Sequence, residues 1–394
     1  MRKGGYGPTL ACLALALAAA PAGVHALTSS TDVEPAGDEA VALEVTVDMA
    51  DLDRPWDVAF LPDKTMLVTE RDKERITALL PGGERRVLAD SPEGVWHRSE
   101  TGLMGLAVSP AFDTDRTIYA CHGWKDDAGR DIRVTAWALD AATTSATITR
   151  TVVTGIEIHG GKHAGCRVRF DPAGALYVST GDARTGPLPQ DLSSLNGKVL
   201  KVDPDTGGPW PGNPYEDSTD PDTRLLWTYG HRNPQGLAYR SGPGIKDGMW
   251  SAEHGPTRDD EINKLRAGAD YGWNPVPDYF EDAPMTDHSL PGKQRDARWS
   301  SGFPTVATSG ATWLDGRRWG AWDGRLAVAT LKAQQLLVMD FDDSGDFVGL
   351  EVPPELLGTY GDLRVPVVGP HNGLYVSTDN FDGPDYILKV VPAD

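Results

Sequence analysis

Long apolar stretches are scarce in this sequence. The one run of note, Leu10 to Ala20, is shorter than the roughly 20 residues a membrane span requires, and nothing later in the chain is long and apolar enough to cross a bilayer. Cysteine is almost absent, 3 residues in 394, and none sits in the CxxC context of a redox centre. Cations are outnumbered, Lys+Arg 37 against Asp+Glu 57, for a formal net charge of -20. Such a field repels nucleic acid and anionic membrane surfaces, so cations gathered in a pocket need a local reason. Sustained 3.6-residue apolar periodicity is missing too, which argues against long helices.

Turn formers, by contrast, are plentiful: Gly 44 and Pro 30. With 40% hydrophobic and 24% charged residues, the composition is that of a globular chain with many tight turns. Its length suffices for a large core, and toroidal all-β folds use such a length as a single domain.

The N-terminus reads as an export signal: Arg2 and Lys3, the apolar run, then Gly23-Val24-His25-Ala26 at a cleavage site after Ala26. Cys12 lies inside the run and not at its end, against a lipidated cysteine. The expected organisation is a signal peptide over 1–26, a polar leader over 27–43 and one catalytic domain over 44–394, in a periplasmic or secreted protein with no stable membrane anchor. Cleavage leaves Cys121 and Cys166; an oxidising compartment allows them to pair, and burial as two separate thiols is the alternative.

A local pattern then recurs: a turn containing Pro, Asp or Gly, followed by a short β-rich run. It appears before Met66-Leu67-Val68-Thr69, Leu176-Tyr177-Val178-Ser179, Leu326-Ala327-Val328-Ala329 and Leu374-Tyr375-Val376-Ser377, with weaker copies before Thr117-Ile118-Tyr119 and Met249-Trp250. Copies at about the spacing of a propeller blade predict an all-β array closed radially, which protects strand edges. A β-sandwich or two small β domains is the alternative. Val45-Thr46-Val47 and the stretch from Tyr386 to Val391 are both β-rich, so the chain ends are expected to complete one blade together.

Chemistry concentrates in glycine-flanked segments between the runs. His159-Gly160-Gly161-Lys162-His163-Ala164-Gly165-Cys166-Arg167 offers His163 as a base for an alcohol proton, because histidine titrates near neutral pH. Asp182, at the end of the following strand, is its candidate partner; a surface or capping histidine is the alternative. Gly230-His231-Arg232-Asn233-Pro234-Gln235-Gly236 places two planar donors side by side, suited to carboxylate and carbonyl groups, or to a bridge between blades. Glu253-His254-Gly255-Pro256, continuing to Asp260-Glu261-Ile262-Asn263, is rich in the hard oxygen ligands that calcium takes, or in solvated turn acids. Lys332 and Arg364 are isolated cations beside strand ends.

In this order these segments, with Tyr271-Gly272-Trp273, resemble the soluble pyrroloquinoline quinone (PQQ)-dependent aldose and glucose dehydrogenases, the glucose/sorbosone dehydrogenase family. The resemblance implies a six-bladed β-propeller with the quinone over its central end. It assigns the base to His163 and its partner to Asp182, and cofactor contacts to Arg232, Asn233, Lys332 and Arg364. It assigns an active-site calcium to the carbonyls of Gly255 and Pro256, and a structural calcium to the Glu261 side chain and the Tyr271 carbonyl. The implied reaction oxidises an aldose at the anomeric carbon to the lactone and passes electrons to an external acceptor. Three positions depart from the pattern. Glu100 stands where the glucose enzymes place a substrate-facing glutamine, Lys162 where they have an aspartate, and Asp362 where a further arginine is common. A calcium-dependent propeller lactonase or esterase, which needs no cationic cradle, and a non-catalytic sugar- or protein-binding propeller are the competing functions.

Overall fold

The computed structural model describes residues 41–242 and 244–393. The expected signal peptide and nearly all of the leader lie outside the described residues. Short β-branched and aromatic runs bounded by turns form six sheets, antiparallel except for one short parallel pairing at Ala269–Asp270, and together a six-bladed β-propeller. Five blades are built from consecutive strands, apart from the short Ala269–Asp270 strand that returns to the third from within the fourth. Their innermost strands are Pro55–Phe60, Leu103–Val108, Gly165–Phe170, Pro234–Arg240 and Thr308–Trp313. The sixth starts from Leu363–Val368 and takes its outermost strand from the other end of the chain.

That closure pairs Leu43–Leu52 with Asp385–Pro392, in register Val45↔Val390, Thr46↔Lys389 and Val47↔Leu388. The two β-rich ends therefore do share one sheet, and the ring keeps no open edge between first and last blades. The strand begins at Leu43, one residue inside the expected leader. The six recurrent runs become the second strand of each blade: Met66–Glu70, Thr117–Asp126, Leu176–Thr180, Gly248–Glu253, Leu326–Thr330 and Leu374–Thr378. They are the most apolar strands because both of their faces are covered by neighbouring blades. Helix is limited, among the described residues, to Phe112–Asp115 and four short 3-10 turns.

Every innermost strand carries a register shift against its neighbour near its start, as at Pro55/Asp57, Gly165/Val168 and Pro234/Gly236. Such bulges twist the strand and turn side chains toward the axis. Blades abut closely there: a Cβ on Gly105 would lie 2.2 Å from the Cys166 carbonyl, and one on Gly236 would lie 2.4 Å from that of Ser309. The axis itself is polar. Asp57 pairs with Arg167 at 2.7 Å and Arg169 at 2.9 Å, and Trp56 lies 3.8 Å from the Arg167 guanidinium. Burial pushes Arg167 down to about 9; Asp57, despite its own burial, is held below the usual carboxylate range by the two arginines.

Cys121 and Cys166 are joined by a disulfide, their Cα atoms 5.5 Å apart. The bond ties the second strand of blade two to the first of blade three, directly after the His163 segment.

Candidate active site

His163 sits on the connection leading into blade three. Its backbone is left-handed, with φ 53, and Gly161, Gly165 and Cys166 are also at positive φ. A non-glycine residue in that region is uncommon and costs about 1 kcal/mol or more, so neighbours must fix the turn. Glu100 does so by accepting the His163 N–H at 2.9 Å, and Asn233 Oδ1 accepts the Gly165 N–H at 3.0 Å. Thr101 and the backbone of Glu100 both donate to the Gly161 carbonyl. Gly181 is required opposite: a Cβ there would sit 1.9 Å from the His163 carbonyl. The carboxylate of Glu100 thus holds the loop; Lys162, next to His163, is exposed.

Asp182 follows the second strand of blade three and is fully buried. Its Oδ1 accepts from His163 Nδ1 at 2.8 Å and from the Arg184 N–H at 2.8 Å. Its Oδ2 accepts from Trp273 Nε1 at 2.7 Å and from the Tyr279 hydroxyl at 2.8 Å. On its other side, His163 Nε2 lies 3.2 Å from Arg232 Nη2. A carboxylate only accepts and a guanidinium only donates, so both partners enforce one tautomer, with the proton on Nδ1 and the lone pair on Nε2. Burial, reinforced by the charge of Asp182, pushes the Tyr279 phenol up, which keeps it a donor.

Trp273, Tyr279, Glu281 and Arg184 complete the cluster, and sequence reasoning assigned none of them a role. The first three ride on the long excursion between Lys264 and Trp299, which pairs at Ala269–Asp270 with the outer strand of blade three. Nothing local marks them beyond Tyr271-Gly272-Trp273. Glu281 Oε2 accepts from Arg232 Nη2 at 2.9 Å, and its Oε1 pairs with Arg184 at 2.9 Å.

The segments around Arg232 and His254, some 20 residues apart, are held together by one acid. Glu253 is buried, accepts from His231 Nδ1 at 2.9 Å and the Asn233 N–H at 3.2 Å, and also takes the Arg232 N–H. His231 stacks on Tyr271 at 4.7 Å. This one carboxylate positions the Arg232 and Asn233 side chains. Arg232 Nη1 donates to the His254 carbonyl at 3.1 Å, while Arg232 Nε and His254 Nε2 are buried without a partner. Burial and then the nearby Arg364, Arg232 and His163 hold His254 well below the ordinary histidine value.

Asp260 pins the Gly255-Pro256 turn: its Oδ1 accepts from the Gly255 N–H at 2.8 Å, and its Oδ2 from the N–H groups of Val306 and Ala307, each at 2.6 Å. Among the described residues, neither the Gly255 nor the Pro256 carbonyl accepts a backbone hydrogen bond. Glu261 pairs across the sheet with Glu253 and accepts from Asn263 at 3.0 Å; burial and Glu253 push its carboxyl well above the usual range. Among the described residues no group of three or more His, Cys, Asp or Glu gathers for a metal.

The remaining predicted cations differ. Lys332 is exposed, and its Nζ donates to Thr305 at 3.2 Å. Arg364, expected as an isolated cation beside a strand end, is buried in the axis. It is paired with Asp379 and donates to Gln235 Oε1 at 2.5 Å and to Ser309 at 3.4 Å. Asp362 accepts from Gln334 at 2.9 Å.

Comparison with known proteins identifies the family. The Glucose / Sorbosone dehydrogenase family matches residues 52–389, and the chain belongs to it. The aldose sugar dehydrogenase of Escherichia coli (strain K12) is 30% identical over 393 residues, covering 97% of this chain and 97% of that one. The apo-form structure of the soluble aldose sugar dehydrogenase from Escherichia coli covers 89% of this chain and 100% of its own, with 27% identity and TM-score 0.79. The PQQ-bound aldose sugar dehydrogenase from Streptomyces coelicolor covers 89% and 99%, with 28% identity and TM-score 0.73.

Proposed function

We propose that this member of the Glucose / Sorbosone dehydrogenase family is an exported, PQQ- and calcium-dependent aldose dehydrogenase that oxidises a sugar at its anomeric carbon to the lactone. The observation that carries the reading is the tautomer of His163: its Nδ1–H is fixed by Asp182 and its Nε2 lone pair is directed at the Arg232 side chain. A base of that form, next to a cationic fork, suits removal of a hydroxyl proton beside an anionic cofactor.

The residues present fit that cofactor. Arg232 has a buried Nε without a partner, Asn233 is fixed next to it, and Lys332 holds only one weak contact, so these three would take its carboxylates and carbonyls. Arg364 already has donors committed to Asp379, Gln235 and Ser309 and contributes a fixed positive charge more than a free fork. The unengaged carbonyls of Gly255 and Pro256 suit calcium, which prefers oxygen ligands; Glu261 and Tyr271 would serve a second, structural ion. When bound, PQQ supplies the electrophilic carbon that takes the hydride, its carbonyl polarised by calcium. The chain's own part is to hold the sugar hydroxyl against His163 Nε2, receive its proton there, and stabilise the resulting imidazolium through Asp182. An external acceptor then takes the electrons.

The test is reconstitution of the apo protein with PQQ and calcium, following dye reduction across a panel of aldoses. Reduction by wild type, with His163→Ala retaining PQQ but losing roughly 100- to 10,000-fold in turnover, is the expected result. No PQQ binding and no reduction overturns the proposal, and lactone hydrolysis with calcium alone would assign a hydrolase instead.

A further inference from the structure

Glu281 is a part-exposed acid on the Lys264–Trp299 excursion, its side chain 33% exposed, and it touches the site through arginines alone. Each of its oxygens meets one guanidinium nitrogen at 2.9 Å, Arg232 Nη2 on one side and Arg184 on the other. Neither contact is the two-bond fork that makes an arginine–carboxylate pair strong.

Arg232 is correspondingly under-committed. Nη1 reaches the His254 carbonyl, Nη2 divides its two hydrogens between Glu281 and His163 Nε2, and Nε is buried without a partner. A carboxylate binding side-on to a guanidinium uses the edge formed by Nε and Nη2. The Nε half of that edge is buried and makes no hydrogen bond, and the Nη2 half is taken by Glu281 and His163. An incoming bidentate carboxylate therefore displaces one of them: His163 is buried and pinned from behind by Asp182, whereas the part-exposed Glu281 is free to turn toward Arg184, so Glu281 is the one that yields.

We propose that Glu281 is a built-in competitor for the cofactor: its carboxylate parks Arg232, and a cofactor carboxylate must exchange with it on the same guanidinium. The inference rests on the PQQ reading above and adds to it a residue that sets loading affinity. Arg184 is the alternative partner that Glu281 keeps after the exchange, so the excursion need not unfold to release Arg232.

The experiment is PQQ titration of the calcium-loaded full-length protein, followed by tryptophan quenching (Trp273 lies 5.7 Å from the Arg232 guanidinium) and checked by equilibrium dialysis. Glu281→Gln should tighten PQQ binding roughly two- to fivefold, the scale of a part-exposed ion pair. In an Arg232→Lys background, which keeps the charge but removes the fork, the same substitution should give less than about half of that gain. Unchanged or weaker binding in Glu281→Gln overturns the inference while leaving the PQQ reading intact. So does an equal gain in both backgrounds, which would mean general repulsion. Failure of the wild type to bind PQQ overturns the parent reading and this inference with it.

Discussion

Replacing Asp182 by asparagine tests the base most sharply, because each oxygen of the carboxylate faces one adaptable and one obligate donor. On the Oδ1 side, His163 can change tautomer, whereas the Arg184 N–H can only donate. On the Oδ2 side, the Tyr279 hydroxyl can rotate, whereas Trp273 Nε1 can only donate. The new amide NH2 must face one side and strand its obligate donor. Trp273 is 0% exposed, so stranding its N–H costs about 1–3 kcal/mol. The Arg184 N–H bond is only part-buried, on an otherwise exposed residue, so stranding it costs less. The amide nitrogen therefore turns toward His163 and drives the proton from Nδ1 to Nε2, with the donor-only Arg232 Nη2 swinging away from Nε2 and the Tyr279 hydroxyl, 2.9 Å from Nδ1, donating there instead; no lone pair then remains for substrate. Turnover should fall roughly 100- to 10,000-fold with only a small loss of thermal stability. Trp273→Phe removes the obligate donor on the other side. In the double variant the amide can flip, and His163 regains its working tautomer. The double variant should recover about tenfold over Asp182→Asn alone, read from dye-reduction rates and from the 15N shifts of His163. Simple multiplication of the two single losses, or an unaltered tautomer in Asp182→Asn, would refute the reasoning.

Three further outcomes follow from other parts of the molecule. Cys166→Ser opens a bond closing a sequence separation of 45 and should cost about 4 kcal/mol on the chain-entropy account; a denaturation midpoint matching the oxidised wild type contradicts it. His122 is fully buried, bonded to the Gly123 carbonyl and Thr135, and burial depresses it from 6.5 to about 4. Its folded value lies below its unfolded one, so the stability tied to neutral His122 is complete above pH 6.5 and is lost as pH falls toward 4. Relative to His122→Gln, the wild type should lose up to about 3 kcal/mol over that window; parallel pH profiles sink this. Asp260→Asn presents an amide nitrogen to at least one of three N–H donors. It should loosen the Gly255-Pro256 turn and weaken calcium retention about tenfold, by metal analysis after dialysis, with stability down about 1–3 kcal/mol. Wild-type calcium retention would contradict that role.

Much of the architecture is legible because blades repeat. The second strand of each is buried on both faces, so it is written as an apolar run with turn formers before it, and all six runs emerged from the chain alone. The closing strand was readable for the same reason, at Val45-Thr46-Val47 and Tyr386 to Val391. The site was legible only where residues lie beside glycines that the backbone requires. His163 and Asp182 are flagged by Gly161, Gly165 and Gly181, each of which holds off a carbonyl or a neighbouring turn. Tyr279, Glu281 and Arg184 carry no such mark. Their roles come from how the Lys264–Trp299 excursion folds back over blade three, a long-range placement that no local pattern records. Arg364 illustrates the converse. Its neighbours in sequence gave no sign of this burial, because Gln235 and Ser309 reach it from two other blades and Asp379 from the end of the next strand.

The acids at the departing positions bear on whether a net-negative chain can hold an anionic quinone. Two like charges 4 Å apart repel by about 4 kcal/mol at the effective dielectric of a protein surface, so free acids facing a cofactor would be costly. Neither of the two departing acids, Glu100 and Asp362, nor Glu281 is without a partner. Glu100 accepts the His163 N–H, and its charge also helps raise Arg71 above the usual arginine value against the effect of burial. Asp362 accepts from Gln334, and its backbone N–H donates to Asn380. Glu281 lies between two arginines. Of these, Glu100 and Asp362 are committed to loop backbone or to a neutral amide, and only Glu281 shares a cation with the proposed cofactor site. Among these three acids, direct competition for a site guanidinium therefore falls to Glu281, on one exchangeable hydrogen bond.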